Sequence, residues 1–166
     1  MPNPLSDRYT PFKLDDDYVF VTDDGRTYSV SFVEQPFFNR SDFIFSDSTF
    51  EVFLRLEKSP PAYFTDPKIG ATVTAILQNF IEKDPSRIVF FTCDTADGRQ
   101  LARFRKFSSW FSENSDGNYF KLEDSVTYLA LDKQFLITLI MRNDNQNIVD
   151  IVSSFVQLTN VLRLRK

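Results

Sequence analysis

The segment Cys93-Asp94-Thr95-Ala96-Asp97-Gly98-Arg99-Gln100 gathers the side chains best suited to chemistry. Asp94 and Asp97 stand beside Arg99 and Arg103, so the acids could hold a magnesium ion while the arginines neutralise a phosphate. An apolar run precedes this segment and a helical pattern follows it, and such a junction collects free backbone N–H groups and positive helix dipole. Asp97 has a plainer explanation as a helix N-cap, with an arginine one turn on as an ordinary ion-pair partner. Two acids at this spacing carry little specificity, and no motif supplies the third acid or lysine that a magnesium enzyme would want. The plainer explanation is preferred, and no residue is assigned a catalytic or metal-binding role.

The sequence contains no histidine. That removes the commonest general base near neutral pH and the commonest metal-binding nitrogen. Ser-His and Cys-His centres and His-ligated zinc are excluded, and carboxylate chemistry with a hard, oxygen-bound metal is what remains. No cofactor is implied. The net charge of −4 gives no basic field to gather phosphates, so nucleic acid is not the expected partner.

The helical pattern after Gly98 has two distinct sides. At about 100° per residue, Leu101, Phe104, Phe107 and Phe111 share one face, while Arg99, Arg103, Lys106 and Trp110 fall along its flank. A basic stripe ending in an indole could clamp an anionic partner or stack a base, since Arg and Trp lead the residues found at binding hot spots. In structural terms Arg103 would snorkel over the core edge, and Lys106 and Trp110 would pack at i, i+4. The structural version is again the simpler. Asp15-Asp16-Asp17 has no glycine or glutamate at calcium-loop spacing and reads as a solvated arm. Pro36-Phe37-Phe38-Asn39-Arg40 offers two adjacent rings that cannot both face one core from a strand.

These residues need a scaffold, and 166 residues with nineteen phenylalanines suffice for one aromatic core without disulfides. Tyr18 to Val21 and Thr27 to Phe32 flank Asp23-Asp24-Gly25, a strong hairpin signal. Phe43 to Phe45 could be a short edge strand. Thr49 to Leu56 alternates Phe50, Val52, Leu54 and Leu56 on one face, and Ser59-Pro60-Pro61 stops it. From Pro67 the period becomes helical through Ile69, Val73, Ile76, Leu77 and Phe80, with Asp66 as N-cap and Pro67 at the first position. Arg87 to Cys93 is a strand covered on both faces and the candidate central strand.

A second helix is expected from Asp97, with Gln100 completing a capping box, to about Asn114. Tyr119 to Leu122, Val126 to Leu131 and Gln134 to Met141 read as strands, the last two joined through Asp132-Lys133. Ile148, Ile151, Val152, Phe155, Thr159 and Leu162 mark a C-terminal helix, and Arg163, Arg165 and Lys166 close the chain. The reading is a single α+β domain over residues 1–166, with 1–14 a loose arm. Its sheet is mixed or mainly antiparallel with about three helices, in the order βββαβαβββα.

The stretch Ile88 to Gln100, continuing through Arg103, Arg105, Phe107 and Trp110-Phe111, resembles a family of short bacterial proteins classed as a domain of unknown function. The helix Ile69 to Phe80 and Arg142-Asn143-Asp144-Asn145 are similar to that family too, so the resemblance covers roughly the C-terminal two-thirds of the chain. It implies a bacterial origin and a stand-alone domain, and it places Asp94, Asp97, Arg99 and Arg103 in the family's signature region. It brings no activity with it.

The function expected is a non-catalytic binding or regulatory domain that engages another protein, through the Arg99, Arg103, Trp110 flank or the Phe37-Phe38 loop. One alternative is a metal-dependent enzyme acting on phosphate esters or nucleic acid through Asp94 and Asp97, and a second is a sensor of a small anionic ligand. No stretch approaches the roughly 20 apolar residues of a membrane helix, and the N-terminus has no signal-peptide pattern. A lone cysteine fits a reducing compartment, so a cytoplasmic location is expected. Cys93, at the end of an apolar run, is expected to be buried and unreactive, and rapid labelling of the folded protein by a thiol reagent would contradict this.

Overall fold

The computed structural model describes residues 7–34, 48–58, 65–93, 98–128 and 133–164. The elements are β1 (Phe12–Leu14), β2 (Asp17–Val21), β3 (Thr27–Glu34), β4 (Thr49–Lys58), α1 (Pro67–Glu82), β5 (Ile88–Cys93), α2 (Gln100–Asn114), β6 (Tyr119–Tyr128), β7 (Lys133–Arg142) and α3 (Ile148–Leu164). All seven strands belong to one sheet in the order β1-β2-β3-β4-β5-β7-β6. Only β4 and β5 pair in parallel, because α1 carries the chain from one to the other as a crossover. Every other neighbour is antiparallel, and the result is the expected α+β fold with a mixed sheet.

Local sequence accounts for most element ends. Thr22 to Arg26 closes the β2–β3 hairpin, where Gly25 takes a φ of 83° and its N–H donates to the Thr22 carbonyl at 3.0 Å. Asp66 caps α1 by accepting the Lys68 N–H at 2.9 Å, with Pro67 at the first turn. Gly117, with a φ of 83°, turns the chain between α2 and β6.

Side chains alternate between the two faces of the sheet, and each face has its own core. On one face Phe20, Val30, Val52, Val89, Phe91, Cys93, Leu136 and Ile140 meet Ile69, Val73, Ile76, Leu77 and Phe80 of α1 and Phe111 of α2. Phe32 and Phe80 stack there with centroids 3.8 Å apart, and the Arg87 guanidinium lies 4.1 Å from the Phe80 ring centre. Opposite them, Ile88, Phe90, Ile137, Leu139 and Met141 pack against Ile151 and Phe155 of α3. β5 supplies both cores, as its unbroken apolar run implied, and burying each such side chain contributes about 2 kcal/mol. The second core includes no residue of β1 to β4. On that side of those strands Phe12, Leu14, Val21 and Val33 are exposed.

Several sequence expectations change. Tyr119 to Leu122 and Val126 onward form one strand, because β7 offers an unbroken ladder from Tyr119↔Arg142 to Tyr128↔Lys133. Asp124 and Ser125, poor strand formers, are carried within it by their partners. The described part of the N-terminal arm is not loose. The Tyr9 N–H donates to Thr72 Oγ1 at 2.8 Å, its ring stacks on Phe20, and Phe12–Leu14 pairs with β2. Asp15 and Asp16 form the tight β1–β2 turn, Asp15 with a φ of 53°. The expected Phe43–Phe45 strand, the Pro36–Arg40 loop, the Ser59-Pro60-Pro61 stop and Asp132 lie outside the described residues. Among the described residues, no helix is long and apolar enough to cross a membrane.

The helices α1 and α2 cross at a glycine. A Cβ on Gly70 would come within 2.6 Å of Trp110 Cγ and 2.7 Å of Nε1, and closer still to Cδ1. Alanine in mid-helix is intrinsically better than glycine by about 1 kcal/mol, but overpacking of this kind costs about 1–3 kcal/mol. Gly70→Ala is therefore expected to destabilise the wild-type background by about 1–2 kcal/mol in chemical denaturation. In a Trp110→Ala background the same change should become neutral or stabilising. Additivity between the two substitutions would show that the crossing is not set by this contact.

Candidate functional site

Helix α2 starts at Gln100 with Arg99 as N-cap, and no side chain caps it. The helix thus begins three residues after the expected Asp97, and the capping box expected from Asp97 lies outside the described residues. Asp94 and Asp97 themselves lie outside the described residues. Among the described residues, no three acidic, cysteine or histidine side chains converge as metal ligands.

Arg99 and Arg103 are exposed, and each makes an interaction of its own. Arg103 lies close enough to Cys93 for its charge to act on the thiol. α2 turns Phe104, Phe107 and Phe111 toward the core, and of its residues only Phe111 is fully buried. One flank leans on β6, where Lys121 pairs with Glu123 at 2.9 Å and both reach Ser108. The opposite flank carries Arg99, Arg103, Lys106 and Trp110, which at about 100° per residue fall within roughly 60° of arc. Its Trp110 end packs on α1, while Arg99, Arg103 and Lys106 are exposed.

Trp110 is half-buried rather than displayed. Its edge rests on Gly70, Phe107 meets it edge-on at 5.3 Å, and the Lys106 ammonium sits 5.0 Å from its ring centre. The carbonyl of Trp110 accepts from Thr74 Oγ1 of α1 at 3.3 Å. Beside the indole opens a cleft of about 340 Å³ lined by Arg26, Thr65, Asp66, Pro67, Ile69, Lys106, Ser109, Trp110 and Glu113. Three separate parts of the chain build it: the β2–β3 hairpin, the start of α1 and the second half of α2.

Arg26 is the most deeply placed charge in the cleft, with 3 % of its side chain exposed. Asp24 holds it by two contacts, Nε to Oδ1 at 3.0 Å and Nη2 to Oδ2 at 2.9 Å, so the planar fork is matched by a carboxylate. The Arg26 hydrogen bond draws the Asp24 pKa below the usual carboxylate range, helped by Thr22. Asp66 is held by the cap and by the Tyr9 hydroxyl, which donates to its Oδ2. Burial pushes the Tyr9 pKa up to about 12. The cleft thus brings two cations, Arg26 and Lys106, and two carboxylates, Asp66 and Glu113, around the indole.

Of the expected site residues, the structure brings Arg99, Arg103 and Trp110 to one flank. It adds Arg26, Asp66 and Glu113, which sequence reasoning did not join to them. Gly70, one turn into the α1 pattern, was the available signal, since a glycine inside a helix marks a close approach by another element. A second polar cluster lies at the other end of α1, where Glu82 accepts from Tyr119 and from Arg142 at 2.6 Å. Arg142 also grips Asp144 at 2.7 and 2.8 Å. This cluster ties α1, β6 and β7 together and accounts structurally for the Arg142-Asn143-Asp144-Asn145 motif.

By fold the chain is an α+β protein with a cleft where its first two helices and a hairpin meet. It belongs to a family of unknown function (DUF6169), whose profile matches residues 65–157, more than half of the chain. No curated protein matches it.

Cys93 is 3 % exposed, and burial pushes its thiol pKa up to about 11 from 9.0, with the Arg103 charge acting the other way. A raised thiol pKa means that the fold favours the neutral form. Its contribution to stability is complete below pH 9 and is lost as pH rises through 11. Thiol labelling of the native protein at pH 8 should run at least about 100-fold slower than in denaturant. Cys93→Ala should flatten the fall of melting temperature between pH 9 and 11. Equal labelling rates in both states would contradict the assignment.

Proposed function

We propose that this chain is a non-catalytic, cytoplasmic binding domain of bacterial origin that engages another protein through the exposed flank of α2. The observation that carries this reading is the continuity of the cationic stripe Arg99, Arg103, Lys106 with the cleft beside Trp110. The first turn of α2 carries no acidic side chain, although its dipole would favour one there. A net charge of −4 for the whole chain makes a concentration of cations on one helix a local departure. Arg supplies planar, desolvatable contacts to a partner. Trp110 acts in this reading as the anchor that holds the helix and floors the cleft. The reducing location is supported by the single buried thiol.

Two measurements test the reading. Arg103→Ala should change stability by less than about 0.5 kcal/mol, as expected of an exposed side chain. A photo-crosslinking residue placed at position 106 should give a discrete protein adduct in cells, abolished by Arg103→Glu, whereas the same residue at exposed Val149 of α3 should not. Identical adduct patterns from both positions, or a fall of several kcal/mol for Arg103→Ala, would overturn it.

A further inference from the structure

We propose that a second cavity, between the N-terminal segment and α1, binds a small organic acid: a carboxylate or phosphate head on a compact apolar body. Its volume is about 380 Å³, which falls within the range of small-molecule sites. Residues 8–13 line it from the N-terminal segment and β1, Tyr18 from β2, and Ala75, Ile76 and Asn79 from α1. None of these residues is acidic, whereas Arg8 and Lys13 each bring a cation. A third cation, Lys83, stands one turn beyond Asn79 and donates to the Tyr18 hydroxyl at 2.9 Å. The Lys13 ammonium lies 4.0 Å from the Tyr18 ring centre and the Lys83 ammonium 5.4 Å from it. Two ammonium groups therefore converge on one buried ring.

These cations differ from the braced arginines in having no acid to answer them. Among the described residues, Arg8, Lys13 and Lys83 form no ion pair, in contrast to Arg26 and Arg142. Asp16, close to Lys13 in sequence, meets it only through the backbone carbonyl, at 3.1 Å. Like charges gathered at one ring repel each other, and an anion bound near them offsets that repulsion. The Tyr18 hydroxyl accepts from Lys83, which leaves its own hydrogen to donate to a ligand. The planar fork of Arg8 matches a carboxylate or a phosphate. Pro11, Ala75 and Ile76 supply apolar surface for the body of the ligand, so head and body each meet their complement. A cationic ligand meets only like charge here.

The test is a titration of ¹⁵N-labelled protein with four probes: benzoate, phenyl phosphate, inorganic phosphate and benzylamine. Benzoate and phenyl phosphate distinguish a carboxylate head from a phosphate head, and at least one of them is expected to shift the amides of Lys13, Ala75, Ile76 and Asn79 in a saturable way. Inorganic phosphate, which has no apolar body, should bind at least about tenfold more weakly than the better of the two. Arg8→Glu or Lys13→Glu, each checked for unchanged melting, should weaken that probe at least about tenfold. Shifts at the same amides from benzylamine or inorganic phosphate, at equal or better affinity, would overturn the assignment. So would the lack of any response at these amides to both aromatic anions, or an affinity left unchanged by both variants. The cavity shares no lining residue with the cleft beside Trp110, so its failure would not touch the reading of α2 as a contact surface.

Discussion

A missing methyl group governs how this molecule is put together. Gly70 has no Cβ, and the Trp110 indole fills the place where one would stand. The helices α1 and α2 therefore pass close enough for Trp110 to share the large core with Ile69 and Val73. That contact sets which side of α2 leans on β6 and which is left to solvent. Rotating α2 by one residue would move Arg103 and Lys106 by about 100° and remove the groove. The candidate site is thus a by-product of core packing, and its position is as well determined as the core.

The sheet explains why α2 has a free flank at all. Its large core is covered by α1 and by the Tyr9 segment, and α2 contributes one fully buried side chain, Phe111, with Phe104, Phe107 and Trp110 packed partly buried beside it. A helix with so few buried residues gains little from its own propensity. It is held by Trp110 on α1 and by Ser108 and Ser112 near Lys121 on β6. Most of its surface remains in contact with water, and that surface is where its cations lie.

Charges elsewhere are consumed by structure. Arg26 is spent on Asp24, and Arg142 is spent on Glu82 and Asp144. Arg87 covers Phe80 and Phe50 while donating to the Phe80 carbonyl at 2.9 Å. Arg142 and Arg87 thereby brace separate elements, whereas Arg26 and Asp24 lock one hairpin turn. On α2, Arg103 and Lys106 are exposed, and Lys106 lies over the Trp110 ring.

Sequence alone determined the elements whose signals are local. The Asp23-Asp24-Gly25 hairpin, the Asp66-Pro67 start of α1 and the doubly buried β5 could be read directly, because turn geometry, capping and hydrophobic period act over a few residues. The stripe Arg99, Arg103, Lys106, Trp110 was legible for the same reason, as a property of one helix. Tertiary structure decided what needed contacts distant in sequence. β6 ran on through Asp124 and Ser125 because β7 paired with it, α2 began at Gln100 rather than Asp97, and the arm at Tyr9 was fastened by Thr72 and Phe20. The cleft joined Arg26, Asp66 and Trp110, which are separated by tens of residues and share no pattern. No single-helix periodicity could have placed Arg26 beside Trp110, since only the packing of three elements around one glycine brings them together.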